Sequence, residues 1–224
     1  MDSTMIRKTL LLAGAAVLGL LAQPALAQST GAVRGKQAGD VVVGLSLIGV
    51  LPMERGSVDV IGGTPSASFA AAPQLDLTYF FTPNLSLNLI AATTRHDVEV
   101  TGSALGTVDL GRVWALPPTL TVQYHPLPAE RFSPYFGVGV NWTMFYGEGG
   151  GRSPGVLDVD VRNAFGLALN VGLDIELAPN WALNLDVKKL LLRPDVRVDT
   201  VIGRVSANAD LDPWIFGIGV RYRF

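Results

Sequence analysis

One short segment carries the side chains of a hydrolase. His96 and Asp97 are adjacent, Glu99 follows, and Ser103 lies four residues further on. A serine, a histidine and a carboxylate perform acyl transfer when the serine hydroxyl lies within hydrogen-bond reach of the imidazole. These residues share only a sequence neighbourhood, at the start of a long polar connection where such side chains are common. We therefore expect no catalytic site, and a lipid A-modifying barrel enzyme is the third of three hypotheses.

The other signals for chemistry are weaker. Residues Gly147–Gly151 are glycine-rich, but no Lys-Ser or Lys-Thr pair follows them to complete a phosphate-binding loop. The chain has two histidines and no cysteine, so we expect no metal site and no cofactor. His125 falls in a predicted turn and is expected to be solvated. A net charge of −2 offers no basic surface for nucleic acid.

The composition is unusual for a soluble domain. Of 224 residues, 49% are hydrophobic and only 16% are charged, whereas about 25% are charged in a typical soluble domain. The mean hydropathy is +0.35. Beyond the N-terminus, however, no run reaches the roughly 20 apolar residues that a membrane helix needs. This excludes a helical membrane protein and argues against a disordered chain.

The N-terminus has the organisation of a secretory signal peptide. Arg7 and Lys8 precede the uncharged run Thr9–Ala22, and Ala25–Ala27 forms an A-x-A cleavage site. We expect residues 1–27 to be removed and residues 28–38 to form an N-terminal periplasmic segment. The alternative is an uncleaved anchor helix, which the short apolar run disfavours.

The rest of the chain alternates with a period of two. In Phe165–Leu177 every odd position is apolar, and the even positions are small, polar or charged. Trp214–Phe224 repeats the pattern. A helix would mix the two sets around its circumference, so both segments are predicted to be strands.

The same test predicts an all-β, eight-stranded antiparallel up-and-down transmembrane β-barrel over residues 39–224. The other six strands are Gly39–Leu51, Gln74–Phe81, Leu85–Thr94, Pro118–Tyr124, Tyr135–Tyr146 and Trp181–Leu192. Short turns at Thr82–Asn84, His125–Ser133 and Ala178–Asn180 alternate with long Gly-, Asp- and Pro-rich connections at Pro52–Pro73, Arg95–Pro117, Gly147–Arg162 and Arg193–Asp212.

Such a barrel could turn its apolar face inward, as lipocalins do, or outward to lipid. Strands of about ten residues suit a tilted membrane crossing, and aromatic residues near the strand ends suit an interfacial girdle. The girdle residues are Phe80, Phe81, Tyr124, Tyr135, Tyr146, Trp181, Trp214, Tyr222 and Phe224. With a signal peptide, an outward apolar face predicts the bacterial outer membrane, with lipids and lipopolysaccharide as contacts.

Several segments together resemble the OmpW family of outer-membrane proteins. They are Ala91–Thr94 with His96-Asp97, Leu116–His125 (LPPTLTVQYH), Pro134–Thr143 (PYFGVGVNWT), Asn180-Trp181, and the ending from Asp212-Pro213-Trp214 to Tyr222-Arg223-Phe224. The resemblance implies an eight-stranded barrel with a narrow hydrophobic interior and passive uptake of small apolar molecules such as alkanes. The segments Pro52–Pro73 and Gly147–Arg162 match least, so the resemblance does not identify the substrate.

The alternation also predicts which residues line the lumen at each height. With both termini in the periplasm, the outer half receives apolar side chains that would form a substrate path. They are Ile48, Ile90, Phe145, Leu190, Leu192 and Ile215. The periplasmic half receives charged side chains that would form a plug network, with Lys188 highest. They are Asp40, Asp76, Asp174, Glu176, Asp186, Lys188, Arg221 and Arg223.

This gradient predicts a function. Paired charges would close the base of so narrow a barrel, while an apolar molecule could enter from outside and leave sideways into the membrane. Pro117-Pro118 and glycines on descending strands are candidate defects in the wall. The alternative is that these residues only fill a structural or adhesive barrel that transports nothing.

The last residues suggest how the chain reaches its membrane. Tyr222 and the terminal Phe224 resemble the tail that the outer-membrane insertion machinery recognises. The alternative is that the two rings only anchor the barrel in the membrane.

Overall fold

A computed structural model describes residues 33–53, 55–58, 63–104, 106–149, 156–192, 195–200, 203–210 and 212–224. The predicted signal peptide lies outside these residues, and of the predicted segment 28–38 only residues 33–38 are described. Among the described residues, no helix is long and apolar enough to cross a membrane.

The described chain forms fifteen strands. They are β1 (Val41–Leu51), β2 (Arg55–Val58), β3 (Thr64–Ala67), β4 (Ala70–Phe80), β5 (Leu85–Ala92), β6 (Thr94–Ser103), β7 (Gly106–Leu116), β8 (Thr119–Tyr124), β9 (Phe132–Gly149), β10 (Val156–Val161), β11 (Ala164–Ala178), β12 (Trp181–Leu192), β13 (Asp195–Thr200), β14 (Gly203–Asp210) and β15 (Trp214–Arg223).

Eight of these strands close into a barrel. Their order around the ring is β1-β4-β5-β8-β9-β11-β12-β15, every neighbouring pair is antiparallel, and β15 pairs back with β1. Each barrel strand overlaps one predicted strand, so the predicted fold class is confirmed. We call the end where the three short turns lie the short-turn end, and the opposite end the hairpin end.

The long connections differ from expectation, because much of their length is strand. β6 and β7 continue β5 and β8 beyond the barrel and pair with each other, with β3 added beside β6. Strands β10, β13, β14 and β2 form a separate four-stranded sheet. The alternation was present in residues such as Val98, Val100, Val108 and Leu110, but the polar and glycine residues between them obscured it.

The barrel wall has an apolar outer face and an inner face that carries polar, small and aliphatic side chains. On β1, Leu47 is 61% exposed, whereas its neighbours Ser46 and Ile48 are 5% and 3% exposed. The exposed outer row includes Leu45, Leu47, Leu75, Leu77, Val138, Val140, Leu167, Leu169, Ile218 and Val220. So many exposed apolar side chains suit lipid rather than water, and the inward-facing alternative is therefore wrong.

Aromatic rings pair on the outer surface near both ends of the barrel. The short-turn end carries the pairs Tyr79–Phe81, Tyr124–Phe136, Trp181–Tyr222 and Tyr222–Phe224. The hairpin end carries Trp114–Tyr146, Trp142–Phe165 and Trp214–Phe216. Two predicted girdle residues are corrected: Phe80 and Tyr135 are 2% and 0% exposed, because both have the strand parity of the inner face.

Candidate functional site

The lumen is the one place where inward-facing side chains from all eight barrel strands meet. An eight-stranded barrel leaves an interior just wide enough for its own side chains. What the inner face carries at each height therefore decides what can enter.

The half toward the hairpin end is apolar except on β8 and β9, where the buried side chains of Thr119, Asn141 and Thr143 are linked by hydrogen bonds. Seven buried residues form one cluster, which we call the apolar chamber: Ile48, Val50, Ala72, Ala92, Ala168, Leu190 and Ile215. Three of the six predicted path residues belong to it. Ile90 and Leu192 are each 3% exposed and lie outside this cluster, while Phe145 is only half-buried. The chamber offers an aliphatic surface.

The half toward the short-turn end is charged. All eight predicted plug residues are buried, at 8% exposure or less. Arg221 pairs with Asp174 at 3.0 Å and with Asp76 at 3.4 Å. Arg223 pairs with Glu176 at 3.1 Å and with Asp40 at 3.7 Å. We call these eight residues the base network.

The innermost pair of the network stands beside the apolar chamber. Lys188 is 2% exposed and pairs with Asp186. The second carboxylate oxygen of Asp186 accepts hydrogen bonds from the Tyr135 hydroxyl at 2.7 Å and from the Asn170 amide at 3.1 Å. Because the carboxylate has three donors, its burial costs far less than it would unpaired.

The base also contains two cations that precede the first predicted strand, where the sequence shows no alternation. Lys36 is 8% exposed, and its Nζ lies 2.8 Å from an Asp174 oxygen. Arg34 pairs with Asp40 at 2.8 Å. The predicted network held five acids and only three cations, and this imbalance was the signal that further cations were needed.

His125 is buried rather than solvated, so that expectation is wrong. The ring is 0% exposed and lies between Phe80 and Tyr135. Lys36 Nζ donates to its Nδ1 at 2.7 Å, so Nε2 carries the proton and donates to Ser86 Oγ at 3.0 Å. Burial, and next the Lys36 ammonium, lower the pKa of His125 to about 3. Burial likewise lowers the pKa of Lys36, and Asp174 opposes that shift.

Uncharged polar residues lie between the two halves. We call Gln74, Asn88, Thr121, Gln123 and Asn170 the polar layer; each is at most 5% exposed. All five have side-chain atoms without a hydrogen-bond partner among the described residues. Buried groups of this kind are hydrogen-bonding sites for water.

The barrel wall has a break in its pairing. The β5–β8 ladder ends at Ile90↔Thr119, and the β6–β7 ladder begins at Thr94↔Ala115. Between them, residues 91–93 face residues 116–118, which include two prolines. Proline has no N–H to donate, and the Pro118 carbonyl accepts from Trp142 on the other side.

The structure does not assemble the hydrolase residues. The two ring nitrogens of His96 lie 2.7 Å from the Ser68 carbonyl oxygen and 3.0 Å from Thr94 Oγ1. Asp97 pairs with Arg112, and the Ser103 hydroxyl donates to the Gly106 carbonyl. Within the described ranges, no group of three His, Asp or Glu side chains could hold a metal ion.

The chain is similar to known outer-membrane proteins over most of its length. Residues 37–224 match the OmpW family. An uncharacterized outer-membrane protein, y4mB, of Sinorhizobium fredii is 40% identical over 94% of this chain and 90% of its own length. The outer membrane protein AlkL of Ectopseudomonas oleovorans is 31% identical over 85% of this chain and 76% of its own length.

Solved structures show the same fold. The crystal structure of the outer membrane protein OprG from Pseudomonas aeruginosa superimposes with a TM-score of 0.80, covering 86% of this chain and 99% of that one, at 27% identity. The solid-state NMR structure of AlkL in lipid bilayers gives a TM-score of 0.67 over 90% and 96% of the two chains, at 26% identity.

Proposed function

This chain belongs to the OmpW family of outer-membrane proteins, and on that premise we propose that it admits small hydrophobic molecules passively. It is an outer-membrane β-barrel of the OmpW and AlkL type and not an enzyme. We further propose a path for these molecules through the lumen and an exit through the barrel wall.

The observation that carries the proposal is the division of the lumen into an apolar chamber and a charged base. A hydrocarbon entering the chamber gains about 0.8 kcal/mol for each methylene removed from water. It cannot continue toward the short-turn end, because the polar layer and the base network occupy that part of the lumen with groups that bind water or each other. The path therefore needs another exit.

We place that exit at the break in the wall beside Pro117 and Pro118. A closed barrel has no edges, since every strand hydrogen-bonds to both neighbours. Where residues 91–93 meet residues 116–118, the ladder is interrupted, so parting the strands there breaks fewer hydrogen bonds than elsewhere. An apolar molecule would leave through this gap into the outer leaflet.

Uptake of an alkane tests the path. In cells or liposomes, Leu190→Lys should abolish octane uptake, because an ammonium group in the apolar chamber would have to lose its hydration before hydrocarbon could contact it. Leu190→Met, which keeps volume and apolarity, should retain uptake. Heat-modifiable gel mobility reports whether each variant folds. Equal uptake by wild type and folded Leu190→Lys would contradict the path.

A reversible cross-link tests the exit. The chain has no cysteine, so Ala91→Cys with Pro118→Cys introduces the single disulfide needed to close the break. Uptake should fall on oxidation and recover on reduction. The matched control joins Leu87 and Val122, a paired position within the intact β5–β8 ladder, and should leave uptake unchanged. Unchanged uptake with the 91–118 disulfide formed would refute the lateral exit.

A structural or adhesive role is the second candidate. It is favoured by the four-stranded sheet that the long connections build from β2, β10, β13 and β14, which could present a surface to a partner. Under this hypothesis wild-type barrels take up no octane. Deletion of that sheet would then abolish binding to the partner surface without affecting insertion of the barrel.

A further inference from the structure

The segment Val33–Asp40 enters the short-turn end of the barrel. It precedes β1 and forms no strand, yet Gly35, Lys36 and Asp40 are buried. The Lys36 amide donates to the Pro128 carbonyl at 2.8 Å, which ties the segment to the β8–β9 turn. The segment is therefore bound to the barrel mouth through its backbone as well as its side chains.

Its two cations reach the acids of the base. Lys36 Nζ lies within 2.8 Å of three groups: an Asp174 oxygen, Ser133 Oγ and His125 Nδ1. Arg34 pairs with Asp40, while the Arg34 and Gly35 amides donate to the two oxygens of Glu176 at 2.7 and 3.3 Å. The segment thus contacts carboxylates on β11 that also pair with Arg221 and Arg223.

Gly35 shows how closely the segment fits. Its φ of +70° is unfavourable for other residues, and a Cβ there would lie 3.0 Å from the Ala129 Cα and 3.2 Å from the Pro128 oxygen. Its carbonyl accepts a hydrogen bond from Arg223. The segment is fitted to this mouth by its backbone shape.

The segment also balances the charge of the base. The base network alone has five acids and three cations, a net charge of −2. Arg34 and Lys36 bring the cations to five and the net charge to zero. Without these two cations, the periplasmic mouth would be a negatively charged cleft.

Lys36 stands where the mouth meets the interior. A small recess is lined by Lys36 together with Thr78, Asp174 and Arg221. Thr78 accepts a hydrogen bond from Asn88 of the polar layer at 2.8 Å. Hydrophilic side chains therefore lead from the recess to the polar layer, and Lys36 holds the recess side of that route through its contacts with Asp174, Ser133 and His125.

We infer that Val33–Asp40 is a tethered stopper, and that Lys36 is the residue that excludes ions and water-soluble solutes from the periplasmic side of the lumen. The stopper makes the barrel selective: polar solutes are stopped at the base whether or not a hydrocarbon uses the apolar chamber. The inference thus goes beyond the proposed function and does not require octane uptake.

Thiol labelling tests the stopper on a cysteine-free background. Thr121→Cys places a thiol in the polar layer, where Thr121 is 0% exposed and its Oγ1 has no partner among the described residues. The barrel, purified from outer membranes into nanodiscs, is treated with a cationic or an anionic methanethiosulfonate. With the stopper intact, labelling should be slow for both reagents.

Arg34→Gln with Lys36→Gln should release the stopper. Because a cleft of one sign concentrates counter-ions, the cationic reagent should then react at least about tenfold faster than the anionic one. Arg112→Gln, which removes an exposed ion pair near the hairpin end, is the control and should change neither rate. A chain lacking residues 28–37 should label at least as fast as the paired substitution.

Each possible result either supports the inference or overturns it. Fast, cation-selective labelling of either stopper variant supports the inference. Slow labelling of both folded variants, or fast labelling without preference for the cation, overturns it. Failure of both variants to fold also overturns it, because the segment would then be part of the scaffold and not a stopper. None of these results depends on hydrocarbon uptake.

Discussion

Acidification should destabilise this barrel through His125. The imidazole is fully buried, and the charged groups facing it are Lys36, Asp174 and Arg221. Its pKa is about 3 in the folded protein and about 6.5 in the unfolded chain. Below pH 6.5 the unfolded chain therefore binds a proton that the folded barrel does not, and stability falls with pH down to about 3.

The size of the effect follows from the pKa difference. Each pH unit below 6.5 costs about 1.4 kcal/mol, so His125 should cost about 2 kcal/mol at pH 5. His125→Gln removes the titration while keeping an acceptor for Lys36 and a donor for Ser86. Between pH 7.5 and 5.0, the wild-type barrel should thus lose about 2 kcal/mol more stability than this variant.

Urea unfolding in phospholipid vesicles measures the difference, with the four tryptophans as fluorescent probes. Comparing the two chains cancels the contribution of every other ionisable group, because both chains contain the same set. From pH 8 to 7.5 the two unfolding free energies should run parallel. An equal loss of stability in both chains at pH 5 would refute the assignment of a buried, neutral His125.

Two further predictions concern the wall and the last residue. A Cβ on Gly139 would overlap the Leu120 carbonyl oxygen, whereas one on Gly217 has its nearest neighbour at 3.4 Å. Gly139→Ala should therefore lower the free energy of unfolding by at least about 2 kcal/mol, and Gly217→Ala by less than about 1 kcal/mol. Equal losses in the two variants would contradict the close approach of β8 and β9. Phe224 is 68% exposed, and we propose that the outer-membrane insertion machinery recognises it. Deletion of Phe224 should reduce assembly in cells severalfold and leave refolding in detergent unchanged. Impaired refolding would instead indicate that the ring only anchors the barrel.

The sequence was sufficient to predict the barrel. In an antiparallel wall that faces lipid on one side, residues of one parity must be apolar, and this pattern is local to each strand. Segments such as Phe165–Leu177 therefore predict both their conformation and their two faces. The same parity argument put Leu190 and Ile215 in one half of the lumen and Arg221 in the other.

The pattern is weaker in β6 and β7, the strands that extend beyond the barrel. The signal that marks barrel strands is a continuous apolar outer face. In β6 and β7 this face is interrupted by Asp97, Glu99 and Asp109, so the sequence does not predict these two strands. Phe80 and Tyr135 are aromatic and lie near strand ends, yet their strand parity places both on the inner face.

What closes the base could be decided only by the tertiary structure. Arg34 meets Glu176 across 142 positions of sequence, and Lys36 meets His125 across 89. No periodicity connects such residues, because the stopper has no regular structure and owes its position to the excess of carboxylates that the closed ring collects from several strands. Strand parity is a property of neighbouring residues and can be read along the chain, whereas charge compensation in a narrow lumen depends on which distant groups the closure of the barrel brings within 3 Å of one another.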